Sequence, residues 1–182
     1  MEVVKMVKNV PDFLILLRFL AIPVFMFFFN LGNPVMAGCV FVAASITDFF
    51  DGFIARKQGI VNDYGKLMDP LADKILTSAA FVLLAVDGAI PAWAVVVIIA
   101  REFLVTGVRC LAAEDGNIIA AGWSGKVKTA LQMVAIIFLL FNDWPLSLIG
   151  LPIGIILFYL ATAATIYSGF EYCYKNKKYF QH

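Results

Sequence analysis

Residues 48–73 read Asp48-Phe-Phe-Asp51-Gly52-Phe-Ile-Ala55-Arg56-Lys-Gln-Gly-Ile-Val-Asn-Asp-Tyr-Gly65-Lys-Leu-Met-Asp69-Pro-Leu-Ala-Asp73. This polar stretch lies between two apolar runs, roughly 35–54 and 71–86. Asp48 and Asp51 stand at i, i+3, and Gly65, Asp69 and Asp73 at i, i+4, i+8, so each set occupies one face of a helix. Gly52, four residues after Asp48, leaves that face open to close approach by backbone or ligand. The spacing therefore predicts two helices joined by a polar connection, with four carboxylates turned toward each other.

Outward from this stretch the chain keeps the same character. Six apolar segments stand out, near 13–29, 35–54, 71–86, 92–113, 127–141 and 147–171. Most approach the roughly 20 residues needed to cross a bilayer. The third and fifth are short, but each lengthens if its helix reaches into the polar stretch before it. Three junctions are tight and carry turn residues: Asn30-Leu-Gly-Asn-Pro34, Asp87-Gly-Ala-Ile-Pro91 and Asn142-Asp-Trp-Pro145. The expected architecture is all-α: a polytopic membrane protein of six transmembrane helices, one domain over 1–182. Residues before Pro11 mix Val and Met with Lys, which suits a short interfacial helix.

Composition supports lipid as the surroundings. Of 182 residues, 62% are hydrophobic, and mean hydropathy is +0.90, whereas soluble domains run nearer about 45–50% apolar. The net charge of +1 gives no field that favours nucleic acid. Three scattered cysteines, Cys39, Cys110 and Cys173, read as free thiols rather than a disulfide framework or a zinc site. The apolar stretch after Lys8 is too long for a signal-peptide core and has no small-residue cleavage site after it.

Charge orients the segments. Lys5, Lys8 and Arg18 lie at the first end; Arg56, Lys57, Lys66 and Lys74 flank the junction around 55–70. Arg101, Arg109, Lys126 and Lys128 flank the junction around 114–126, and Lys175, Lys177 and Lys178 close the chain. No Lys or Arg falls in a tight loop. By the positive-inside rule both termini and both long junctions face the cytoplasm.

Four carboxylates at membrane depth are costly unless neutralised. Hard divalent cations with oxygen ligands, Mg²⁺ or Mn²⁺, do this and commonly act beside substrate phosphates. The only histidine is His182, which excludes a Ser-His-Asp triad and phospholipase-D-like histidine chemistry.

The pattern D-x2-D-G-x2-A-R-x8-G-x3-D-x3-D, met at every position from Asp48 to Asp73, resembles the signature of the CDP-alcohol phosphatidyltransferases. The resemblance implies six transmembrane helices, a cytoplasm-facing polar cavity, two divalent cations and a homodimer. It implies Asp48, Asp51, Asp69 and Asp73 as metal ligands, with Asp73 also the catalytic base. It implies Asp48, Asp51, Gly52, Ala55, Arg56, Gly65 and Asp69 as the site for the CDP-lipid, CDP-diacylglycerol. Asp12 and Ile15 stand where Asn and Thr are common in the family.

Two more stretches, Arg101-Glu102-Phe-Leu-Val-Thr106-Gly-Val-Arg109 and Trp123-Ser124-Gly125-Lys126-Val-Lys128-Thr129, bear on the acceptor. Arginines inside membrane helices are expensive and mark function. With Arg18, these cations suit a second, fixed phosphate in the acceptor. The bland readings are that Arg101 pairs with Glu102 and that Lys126 and Lys128 snorkel to headgroups. The two stretches resemble the bacterial branch of the family that uses sn-glycerol 3-phosphate, an enzyme of the cytoplasmic membrane. Serine, inositol or inositol phosphate are alternative acceptors. A cation transporter is the alternative outside the class, but its carboxylates would be expected near the midplane of broken or repeated helices.

Overall fold

A computed structural model describes residues 10–58, 63–116, 119, 122–144, 148 and 150–180, with side chains except at 10–16, 48–58, 63–73, 114, 178 and 180. Among the described residues the chain is helical: α1 Val10–Asn30, α2 Pro34–Gln58, α3 Asp63–Val86, α4 Ala92–Glu114, α5 Trp123–Leu140 and α6 Ile153–Lys175, then a 3-10 turn Lys177–Phe180. The expected interfacial helix before Pro11 falls outside the described residues, apart from Val10, where α1 begins.

Six helices stand where six apolar segments were read. Two of them, α5 and α6, are long and apolar enough to cross a membrane, with mean hydropathies of 1.3 and 1.7. Only 28% and 33% of those windows is buried, so most of each helix surface is left for lipid. In α1, α2 and α3 the described apolar stretches are shorter: Leu17–Asn30, Pro34–Thr47 and Lys74–Val86. In α4, any 18-residue window contains Arg101, Glu102 and Arg109.

The short segments lengthen as expected, α3 starting at Asp63 and α5 at Trp123. The last segment starts later than the run at 147 suggested. Gly150 takes φ +71° and Pro152 holds the cap position, so regular helix begins only at Ile153.

The contacts group into two compact units, 1–83 and 84–182. In the first, α1 packs on α2. Phe25 and Phe41 are fully buried and meet at 6.2 Å between ring centroids. Ala37, Gly38 and Ala44 are buried on α2, small residues of the kind that let membrane helices approach closely. The α1–α2 turn follows its sequence: Gly32 takes φ +73°, and Asn33 Oδ1 accepts the Met36 amide at 3.2 Å, capping a helix that opens with Pro34.

In the second unit, α5 packs on α6, and α4 also contacts α6. Ala135, Ile136, Leu140, Phe158 and Ala161 form its apolar core. Toward the other end the shared face turns polar, burying Lys128, Gln132, Thr165 and Ser168. Gln132 Nε2 donates to Thr165 Oγ1 at 3.0 Å. Thr165 and Ser168 return their hydroxyls to helix carbonyls, Ala161 O and Thr165 O. The α5–α6 connection turns through Asn142 and Asp143, at φ 51° and 57°, and Asp143 Oδ1 accepts the Gly154 amide at 2.6 Å. Trp123 at the start of α5 and Tyr167, Phe170 and Tyr174 near the end of α6 are all more than 65% exposed, an aromatic rim at one end of the unit. The three cysteines are free thiols.

Candidate active site

The acidic motif is carried by α2 and α3. Asp48, Asp51, Gly52, Ala55 and Arg56 lie on the last part of α2, and Gly65, Asp69 and Asp73 on the first part of α3. Both stretches are helical, so the expected i, i+3 and i, i+4 registers hold in the backbone. The helices are linked by residues 59–62, which keeps their ends within roughly 18 Å. The side chains of all eight residues lie outside the described residues. Among the described side chains no group of three metal-ligating residues occurs.

Arg18 lies in the same unit, on α1, and is 1% exposed. A guanidinium buried this deeply requires anionic partners. The acids of residues 1–83 are Glu2, Asp12, Asp48, Asp51, Asp63, Asp69 and Asp73, four of these seven belonging to the signature.

The basic residues Arg101, Arg109, Lys126 and Lys128 belong to the second unit. Arg101 and Glu102 are adjacent on α4, and Arg101 Nη1 donates to Glu102 Oε1 at 3.2 Å. The same oxygen accepts Lys128 Nζ from α5. Side-chain exposure is 12% for Arg101, 15% for Glu102 and 4% for Lys128. Lys128 therefore points inward and does not snorkel, whereas Lys126 is exposed. The pairing of Arg101 with Glu102 is present through Nη1, while Arg101 Nε is buried with no hydrogen-bond partner among the described residues. Arg109, two helical turns further along α4, likewise has a buried Nε without a partner among the described residues. Two buried donors without acceptors are what an anion site presents before its anion arrives.

Two glycines shape this cluster. A Cβ added at Gly125 of α5 would stand 3.7 Å from Arg101 Nη2, and one at Gly169 of α6 would stand 3.2 Å from Arg101 Cγ. Sequence reasoning named Gly125 only as part of a motif and did not single out Gly169, since a glycine in an apolar helix carries no local signal of what passes it. Beside the cluster, a recess of about 300 Å³ opens between Trp123, Ser124, Val127, Ala164, Tyr167 and Glu171. Glu171 is held by Lys175 at 2.6 Å.

The chain also resembles known proteins along its length. The sequence model of the CDP-alcohol phosphatidyltransferase family matches residues 8–167. The chain belongs to that family. A Bacillus subtilis protein named CDP-diacylglycerol--glycerol-3-phosphate 3-phosphatidyltransferase is 41% identical over 183 residues, 92% of this chain and 95% of its own length. A Rickettsia bellii protein of the same name is 37% identical, over 97% of this chain and 99% of its own length. One from Shigella flexneri is 38% identical, over 90% and 92% respectively.

Proposed function

We propose that this membrane enzyme moves the phosphatidyl group of CDP-diacylglycerol to sn-glycerol 3-phosphate, giving phosphatidylglycerophosphate and CMP. The reading is supported by relatives bearing that activity in their names over nearly the whole chain. It is supported equally by the uninterrupted motif on α2 and α3. One observation carries the choice of acceptor: Arg101, Lys128 and Arg109 gather cationic donors in a single unit, two of the guanidinium Nε atoms buried without a partner.

Asp48, Asp51, Asp69 and Asp73 are the residues that would hold two divalent cations, Mg²⁺ or Mn²⁺. The donor set fits: four hard oxygen ligands in helical register on consecutive helices. Two ions held there would supply positive charge to balance the pyrophosphate and the charge developing on the attacking and leaving oxygens. Gly52, Ala55, Arg56 and Gly65 form the rest of the CDP-lipid site, with Arg56 meeting a phosphate.

Asp73 takes the proton from the acceptor hydroxyl, since the chain has no internal histidine to serve. The freed oxygen forms a bond to the phosphorus of the phosphatidyl group as the bond to CMP breaks. Arg18, Arg101, Arg109, Lys126 and Lys128 bind the acceptor's phosphate and fix which hydroxyl is presented. All six helices form one membrane domain, with both termini and the catalytic residues on the cytoplasmic face. The enzyme works in the cytoplasmic membrane as a homodimer.

The test is CMP release by purified protein given CDP-diacylglycerol, Mg²⁺ or Mn²⁺, and either glycerol 3-phosphate, serine, inositol or inositol phosphate. Turnover with glycerol 3-phosphate alone is the expected result. Equal turnover with serine or inositol overturns the acceptor.

A further inference from the structure

A carboxylate inside an anion site repels the ligand, and Glu102 is such a carboxylate. Its Oε1 nevertheless accepts hydrogen bonds from two cations on different helices, Arg101 of α4 and Lys128 of α5. Lys128 reaches it through a side chain that is 4% exposed, from a helix face that buries Gln132 one turn further on. Arg101 passes close to Gly169 of α6, where a Cβ would stand 3.2 Å from its Cγ. The guanidinium engages Glu102 through Nη1, while its buried Nε has no partner among the described residues.

We propose that Glu102 is a positioning residue of the acceptor site, holding Arg101 and Lys128 in place before the acceptor arrives, with Gly169 leaving the room that Arg101 occupies. The proposal rests on the acceptor reading given above. Both cations sit on long side chains, and any ordering left to the ligand comes at the expense of its affinity. Glu102 does this ordering in the free enzyme, and the charge balance allows it. One carboxylate against Arg101 and Lys128 leaves +1, and adding Arg109 brings these four residues to +2, opposite in sign to a phosphate monoester of about −1.5 to −2.

The experiment compares steady-state kinetics of purified Glu102→Gln, Glu102→Asp, Gly169→Ala, Arg101→Ala and Lys128→Ala. Glu102→Gln keeps the size and removes the charge. It is expected to raise KM for glycerol 3-phosphate about tenfold, while KM for CDP-diacylglycerol and kcat stay within about twofold. Glu102→Asp keeps the charge and restores the acceptor KM to within about threefold of the parent, Lys128 being long enough to follow. Gly169→Ala crowds Arg101 Cγ from α6 without touching any charge and raises the same KM about threefold. Because it leaves the Glu102–Lys128 pair intact, it decides the matter if Glu102→Gln does not fold. Glu102→Gln with an unchanged acceptor KM, while Arg101→Ala and Lys128→Ala raise it, removes Glu102 from the site and leaves the acceptor reading standing. Equal losses in kcat and both KM values give it a merely structural role and overturn the proposal. If Arg101→Ala and Lys128→Ala are silent too, the acceptor reading falls with it.

Discussion

Asp143 caps a helix that begins ten residues after it: its Oδ1 accepts the Gly154 amide at 2.6 Å, while Pro152, at the N-cap of α6, offers no side-chain cap. A Cβ on Gly154 would fall 2.8 Å from that oxygen and 2.9 Å from Leu139. Asp143→Ala should therefore cost about 0.5–2 kcal/mol, the usual range for a lost cap. Gly154→Ala should cost about 1–3 kcal/mol through overpacking. Thermal unfolding in detergent measures both, and a melting temperature unchanged in the two variants would show that the α5–α6 connection does not depend on this contact.

The metal reading predicts that chelation abolishes CMP release and that Mg²⁺ or Mn²⁺ restores it. Asp69→Asn should be inactive yet inserted and folded, because the substitution removes a charged ligand without changing shape. Full turnover in excess chelator contradicts the two-cation site.

Asp73→Asn keeps the size of the side chain but cannot take the acceptor's proton. Its kcat should fall by at least about 10²-fold, the scale of general-base catalysis, with CDP-diacylglycerol still bound. Near-parental turnover would leave Asp73 as a ligand only.

For the acceptor phosphate, Arg109→Ala is expected to raise KM for glycerol 3-phosphate about tenfold. This follows from a charge-assisted contact of roughly 1.5–3 kcal/mol. Lys126 is exposed and more screened, so Lys126→Ala should move the same constant by only about threefold. Free glycerol should be a very poor acceptor, since it leaves these cations unpaired. Comparable rates with glycerol and glycerol 3-phosphate would falsify the phosphate site.

The helices and the motif were legible in the sequence for a physical reason. A bilayer demands long apolar runs, and carboxylates at their ends stand out against them. Asn33-Pro34 likewise announces the start of α2, because cap chemistry is local. Hydropathy marks the part of a helix that lipid covers and not where its hydrogen bonds end. Hence α3 begins at Asp63, eight residues before its apolar run, and α5 at Trp123, four before. The burial of Lys128 was not legible, because its direction is set by how α5 rotates against α6, a relation among residues far apart in sequence. The same holds for Gly169 and for Asp143, each of which matters only through a side chain or an amide contributed by another element.

The aromatic rim of the second unit fixes how deep its cations lie. Trp and Tyr side chains settle at the headgroup level, and Lys128 follows Trp123 by five residues. At 1.5 Å per residue, that places the start of its side chain about 7.5 Å below the rim. Under the proposed function, a water-soluble acceptor leaves bulk water and descends into the headgroup layer before it meets these cations. Its two reaction products part in perpendicular directions, the nucleotide rising back into water and the new lipid leaving sideways in the plane of the leaflet.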